Sequence, residues 1–217
     1  LLNTGGGLTD LGCTLVMSHL ACADDPDAEM NSRQRAAFVS LTAGLRDVRL
    51  SLANTGGVLL GEAFAFDLVR PGIGLYGGDP AGRSPGRFEP VVRVEAPILQ
   101  TRTLSPGETI GYGATFTASR AMTTATVALG YADGFLRASG PGTRARIAGR
   151  PAPIVGRVSM DLIVLDVTDL ETAVAQGAPA VFFGADLEAT AGAGGTLGYE
   201  LLTRLGGRFE RAYEGHA

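Results

Sequence analysis

Two hydrophobic rhythms divide this chain. Residues 14–20 (TLVMSHL) form an apolar run of strand length. Asp25-Pro26 then reads as a helix opening, since proline suits the first helical position. Behind it Met30, Ala37, Phe38, Leu41 and Leu45 recur at helical spacing, and Gly44 falls where that helix should stop. Residues 48–53 (VRLSLA) and 67–70 (DLVR) read as two further strands, each followed closely by glycine. Strand, helix and strand in this order predict parallel βα units.

Residues 77–87 (GGDPAGRSPGR) are a polar connector rich in glycine and proline, and the spacing places a domain boundary there. Beyond it the rhythm shortens to β-branched runs: VVRVEAPIL, TIGYGATF, TATVALGY, PAPIVGRV, DLIVLDV and PAVFF. Turn signals such as SPGE and ADG separate them, as in an antiparallel β domain. One amphipathic helix is expected over residues 196–205, interrupting the strands. The fold class is therefore α/β followed by all-β, with residues 1–87 and 88–217 as the two parts. About three βα units cannot close a barrel. An open set leaves edges and apolar faces bare, so the first part reads as a piece of something larger. A start at Leu1 without methionine agrees with a cut amino terminus and leaves a lost targeting segment open.

Composition changes this picture in one respect. All 18 basic residues are arginines, so the chain has no lysine amine for covalent chemistry. A formal net charge of -4 with scattered arginines leaves no basic stripe for nucleic acid. No apolar run approaches the roughly 20 residues of a membrane-spanning helix. Cys13 and Cys22 read as free thiols in a reducing cytoplasm rather than a disulfide scaffold. With only His19 and His216 besides, no metal-ligand spacing is present and no metal is expected.

Candidate chemistry sits at strand ends. Arg70 to Tyr76 (RPGIGLY) follows a strand and carries two glycines, so its backbone N–H groups are suited to an anion. Asn54-Thr55-Gly56-Gly57 is a second such turn. Either alone is more often only a turn, but two at the ends of consecutive parallel strands occupy the face where barrel sites gather. Gly130-Tyr131-Ala132-Asp133-Gly134 ends an apolar strand, where a tyrosine is usually packing and a catalytic one needs a polar partner. VGRVSMD invites the same two readings.

Taken together, LGYADGFLR, APIVGRVSMD, IGYGATF, LVRPGIGLYG, MSHLACADD and GYELLTRLGGR closely resemble alanine racemases, from about Thr14 to the end of the chain. The resemblance implies the second part of a βα (TIM-type) barrel that binds pyridoxal 5'-phosphate, then a C-terminal antiparallel β domain that completes the site of a partner subunit in a homodimer. It implies interconversion of L-alanine and D-alanine in a bacterial cytoplasm, for D-alanine supply. Tyr131 matches the base for the α-proton of L-alanine, and Arg70 the arginine facing the pyridine nitrogen. His19 matches the histidine linking that arginine to the partner's tyrosine. Thr55, Gly72, Ile73 and Tyr199 match phosphate-binding positions, the backbone of Met160 a contact to the substrate carboxylate, and Tyr112 the entrance.

Two departures follow from the same comparison. The family's Schiff-base lysine, which also serves as the second base, has no counterpart among these residues, so this chain alone is expected to be inactive. Residues 3–12 (NTGGGLTDLG) lack the family's methionine and arginine, which puts substrate carboxylate binding in question. The alternatives are a non-catalytic dimerisation or binding module and a racemase for serine or another small amino acid.

Overall fold

In the computed structural model, which describes residues 12–82, 86–170 and 174–215, the chain separates into two units, Leu1–Glu89 and Pro90–Ala217. Most of the NTGGGLTDLG segment and His216 lie outside the described residues.

The first unit has the βα order expected from its periodicity. Strands β1 (Leu15–Met17) and β2 (Arg49–Ser51) pair in parallel, joined through helix α1 (Glu29–Thr42). A parallel bridge between Asn54 and Arg70 continues the pattern. Leu20, Ala23, Phe38, Leu52, Ala53 and Phe64 form the core. Three expectations need correction. Helix α1 opens at Glu29 rather than at Asp25-Pro26, because residues 25–28 are committed to turns: Ala28 N–H donates to the Asp25 carbonyl, and the Asn31 amide donates to the carbonyls of Cys22 and Asp25. Of the predicted helical face only Phe38 is buried, while Leu41 is 65% exposed. Finally, residues 67–70 are not a strand. Phe66 takes a positive φ of 52° to pack edge-on against Phe38, and Asp67 then ties its carboxylate and N–H to the backbone of Leu50. Only Arg70 keeps a β contact.

The second unit is one six-stranded antiparallel sheet in the order β8-β7-β10-β3-β6-β9. These are β3 (Val94–Leu104), β6 (Met122–Val127), β7 (Arg144–Ile147), β8 (Arg150–Pro153), β9 (Ile163–Asp166) and β10 (Pro179–Phe183). The edges β8 and β9 meet at an Ile154–Leu165 bridge, with Val155 N–H donating to the Val164 carbonyl at 2.9 Å. The sheet thus wraps onto itself and covers both edges locally. Alternation supplies the inside, where Ile98, Val127, Ile147, Ile163, Leu165 and Phe182 are all at most 1% exposed.

TIGYGATF is not one strand. Only β4 (Thr109–Ile110) and β5 (Phe116–Thr117) are extended, with a 3-10 turn at Tyr112–Ala114 between Gly111 and the positive-φ Ala114. Instead of one helix over residues 196–205, two short ones follow the last strand, α3 (Leu187–Ala193) and α4 (Gly198–Thr203), separated by Gly194 and Gly195. The remaining short helix, α2 (Thr55–Leu59), lies in the first unit. Among the described residues no helix is long and apolar enough to cross a membrane, and Cys13 and Cys22 are free.

Candidate functional site

In the first unit, two turns meet at one hydroxyl. Asn54 caps α2 by accepting from Gly57 N–H at 2.9 Å. The helix lies so close to the preceding loop that a Cβ at Gly56 would sit 2.6 Å from the Ala23 carbonyl oxygen. Thr55 follows the cap and is buried, at 3% exposure. Its Oγ1 accepts from Gly72 N–H at 2.9 Å and from Gly74 N–H at 3.3 Å. That pins the RPGIGLY turn, which continues as a 3-10 turn at Ile73–Tyr76 with Ile73 buried beneath it. A Cβ at Gly72 would meet nothing within 4 Å, so the surface above that position is open.

Arg70 stands beside this turn and is held by β1 and β2. Its Nη1 donates to Ser51 Oγ at 2.5 Å, and its Nη2 to the carbonyls of Ser18 at 2.7 Å and Leu52 at 3.4 Å. Ser51 is fully buried and donates its own O–H to the Leu68 carbonyl at 2.6 Å. Its lone pairs are therefore left to accept, which suits a guanidinium that only donates. His19 lies between Arg70 Nη2, at 3.5 Å from Nδ1, and Asn54 Nδ2, at 3.3 Å from Nε2. A neutral imidazole accepts at one nitrogen only, and both neighbours are donors, so one of these approaches is not a hydrogen bond. The Asn54 amide cannot turn to relieve this without losing Gly57 from its oxygen.

His19, Thr55, Arg70, Gly72 and Ile73 are thus joined in one unit by direct hydrogen bonds and short approaches. Ser51 was not singled out from the sequence. The signal available was a polar residue at an inward position of the short strand VRLSLA.

In the second unit, Tyr131 opens a 3-10 turn, Tyr131–Asp133, directly after Gly130. The turn lies against the VGRVSMD loop: Tyr131 N–H donates to the Ser159 carbonyl and Ala132 N–H to the Met160 carbonyl, both at 3.0 Å. Gly130 is required by that approach, since a Cβ there would sit 2.2 Å from the Met160 oxygen. Tyr131 and Tyr112 line an open cavity of about 290 Å³ together with Arg137, Arg157, Val158 and Ser159. Two arginines and two tyrosines are therefore among the residues around it. The two arginines were not singled out before; their signal was position, one just after YADGFL and one inside VGRV. Met160 is exposed beside the turn, whereas Tyr199 lies on α4 and does not line the cavity.

Arg208 reaches across the base of this arrangement. Its Nη1 lies 2.8 Å from Asp161 Oδ1 and its Nε 3.3 Å from Asp133 Oδ1. The hydrogen bond to Asp161, and then the charge of Asp133, raise its pKa above the ordinary arginine value.

Comparison with known proteins covers both units. Residues 2–80 match the family model described as alanine racemase, N-terminal domain, and residues 91–213 the model described as alanine racemase, C-terminal domain. The alanine racemase of Rhodospirillum rubrum is 48% identical over 204 residues, covering 93% of this chain and 54% of that relative. The alanine racemase of a Jannaschia species is 48% identical, covering 92% of this chain and 56% of its own length. The chain therefore spans about half the length of the curated relatives it matches. Among solved structures, the alanine racemase of Bartonella henselae with covalently bound pyridoxal phosphate superimposes with a TM-score of 0.86 at 41% identity, covering 93% of this chain and 56% of that one. The biosynthetic alanine racemase of Pseudomonas aeruginosa gives a TM-score of 0.88 at 37% identity, covering 93% and 57%.

Proposed function

The chain belongs to the alanine racemase family, and we propose that it forms part of an enzyme interconverting L-alanine and D-alanine with pyridoxal 5'-phosphate in a bacterial cytoplasm. The observation that carries the reading is the meeting of two glycine turns at Thr55, beside a guanidinium held by Ser51 and two backbone carbonyls.

The residues of the first unit suit that cofactor. Thr55 Oγ1 already accepts two N–H groups, so its own proton is left to donate to a phosphate oxygen. The open surface at Gly72 leaves room for a tetrahedral anion, and the backbone N–H of Ile73 would donate to it. Arg70 would face the ring nitrogen. Because it only donates, a nitrogen paired with it stays unprotonated, and His19 would link Arg70 to a tyrosine of a partner copy. When bound, pyridoxal phosphate supplies the electron sink that acidifies the α C–H of an amino acid.

Racemisation needs a proton to leave one face and return on the other. Tyr131 would hold the proton on the L-alanine face, in the cavity it shares with Tyr112, Arg137 and Arg157. The backbone of Met160 would bind the substrate carboxylate, and the Tyr199 phenol would reach the phosphate. In this reading the first unit of one chain works with the second unit of another copy. The opposite face requires an amine, and none of the 217 residues is a lysine, so these residues alone do not complete the reaction. That same fact favours a second reading, a non-catalytic dimerisation or binding module.

Joining the chain behind the amino-terminal segment of the Rhodospirillum rubrum relative that precedes the matched region separates the two. Racemisation of alanine dependent on pyridoxal phosphate is expected, with kcat/KM higher for alanine than for serine. A folded fusion that binds the cofactor and racemises neither amino acid would sink the racemase reading.

A further inference from the structure

The Tyr131 turn and the Met160 loop carry no direct side-chain bond to each other, yet they touch through the backbone. Tyr131 and Ala132 donate to the carbonyls of Ser159 and Met160, and Gly130 allows the approach. Each loop ends in a carboxylate. Asp133 is largely buried, and its Oδ2 accepts from Gly130 N–H at 2.8 Å, closing the tyrosine turn on itself. Asp161, directly after Met160, is half exposed. A nearly buried carboxylate with one backbone donor still needs a counter-charge. Arg208 supplies it from one nitrogen and holds Asp161 with another. The segment bearing Arg208 is itself anchored to the turn, with Gly206 N–H donating to the Asp133 carbonyl at 3.1 Å. Gly134 lies so close to it that a Cβ would sit 2.0 Å from the Arg204 oxygen.

We propose that Arg208 is a positioning residue, a two-armed clamp that sets the spacing between Tyr131 and the Met160 backbone by bridging Asp133 and Asp161. It is not among the residues lining the cavity, and its ion pairs are with the two carboxylates, so it acts through them. A planar fork with separate donors spans two acceptors in a way that a point charge does not. The importance of that spacing rests on the racemase reading, in which a proton-transfer group and a carboxylate contact must share one substrate.

The test uses the full chain and needs no cofactor. In Arg208→Gln, hydrogen exchange at the Tyr131 and Ala132 amides should quicken about tenfold while amides of β3 and β6 keep their protection. With ring-labelled tyrosine, of which the chain has five, the Tyr131 resonance should shift and the other four should not. Asp161→Ala removes one arm without altering Arg208 and should produce the same changes. The double variant should add nothing further, since both cut one bridge. Unchanged Tyr131 signals, additive effects, or equal loosening throughout the sheet would each overturn the clamp. A chain that shows the clamp, beside a folded fusion that binds pyridoxal phosphate and racemises neither amino acid, would keep this inference and sink the racemase reading instead.

Discussion

A phenol moves a proton at an α-carbon only when its oxygen is held within hydrogen-bond reach of it, so Tyr131 is the first residue to change. In the lysine-supplied fusion, Tyr131→Phe should lower kcat in the L-to-D direction by about 10²- to 10⁴-fold, with circular dichroism unchanged. A normal rate would remove Tyr131 from the reaction. Thr55→Val keeps the shape but deprives the Gly72 and Gly74 N–H groups of their acceptor. It should cost about 1–3 kcal/mol in urea unfolding and weaken pyridoxal phosphate binding, both read in one titration series. Gly134 combines a φ of 104° with direct contact against the Arg204 carbonyl, so Gly134→Ala should destabilise the second unit by more than about 2 kcal/mol.

At the scale of elements, alternation and periodicity were legible wherever a face was simply buried. The run VVRVEAPIL lies largely in β3, DLIVLDV in β9 and PAVFF in β10, because alternate inward side chains need a β-period whatever their partners. β7 escaped notice: its inward residues Ala145 and Ile147 alternate with Arg144 and Arg146, so the run shows no apolar stretch. Helix α3, LEATAGA, is made of small residues and is recognisable only from Leu187, Thr190 and Ala191 facing the core. Residues 67–70 looked extended because two apolar residues, Leu68 and Val69, stand between polar ones ahead of a glycine turn; the bend at Phe66 that overrides this goes with a ring contact to a helix residue 28 positions earlier. The closed sheet makes a quantitative claim of its own. Leu165 is fully buried at the bridge where β8 meets β9, so Leu165→Ala should cost about 3–5 kcal/mol in chemical denaturation. A loss below about 1 kcal/mol would mean the two edges are not packed together.

For the whole molecule, the missing amine matters most. The chain alone, given pyridoxal phosphate and L-alanine, should form no D-alanine above the uncatalysed background, measured by chiral chromatography; turnover would show that another group serves as the second base. What the sequence determined by itself was whatever depends on neighbours within a few positions: the parallel βα order giving way to antiparallel strands, the two glycine turns, the family motifs, and the absence of lysine. What only the tertiary structure decided were meetings between distant positions. Arg70 finds the buried Ser51 across 19 residues, Thr55 gathers Gly72 and Gly74, and Arg208 reaches Asp161 across 47 residues to bridge it to Asp133. The division has a physical cause. Backbone periodicity answers to local sterics and to burial of one face, whereas a donor's choice of acceptor is settled only once packing has brought distant backbones together and excluded water from between them.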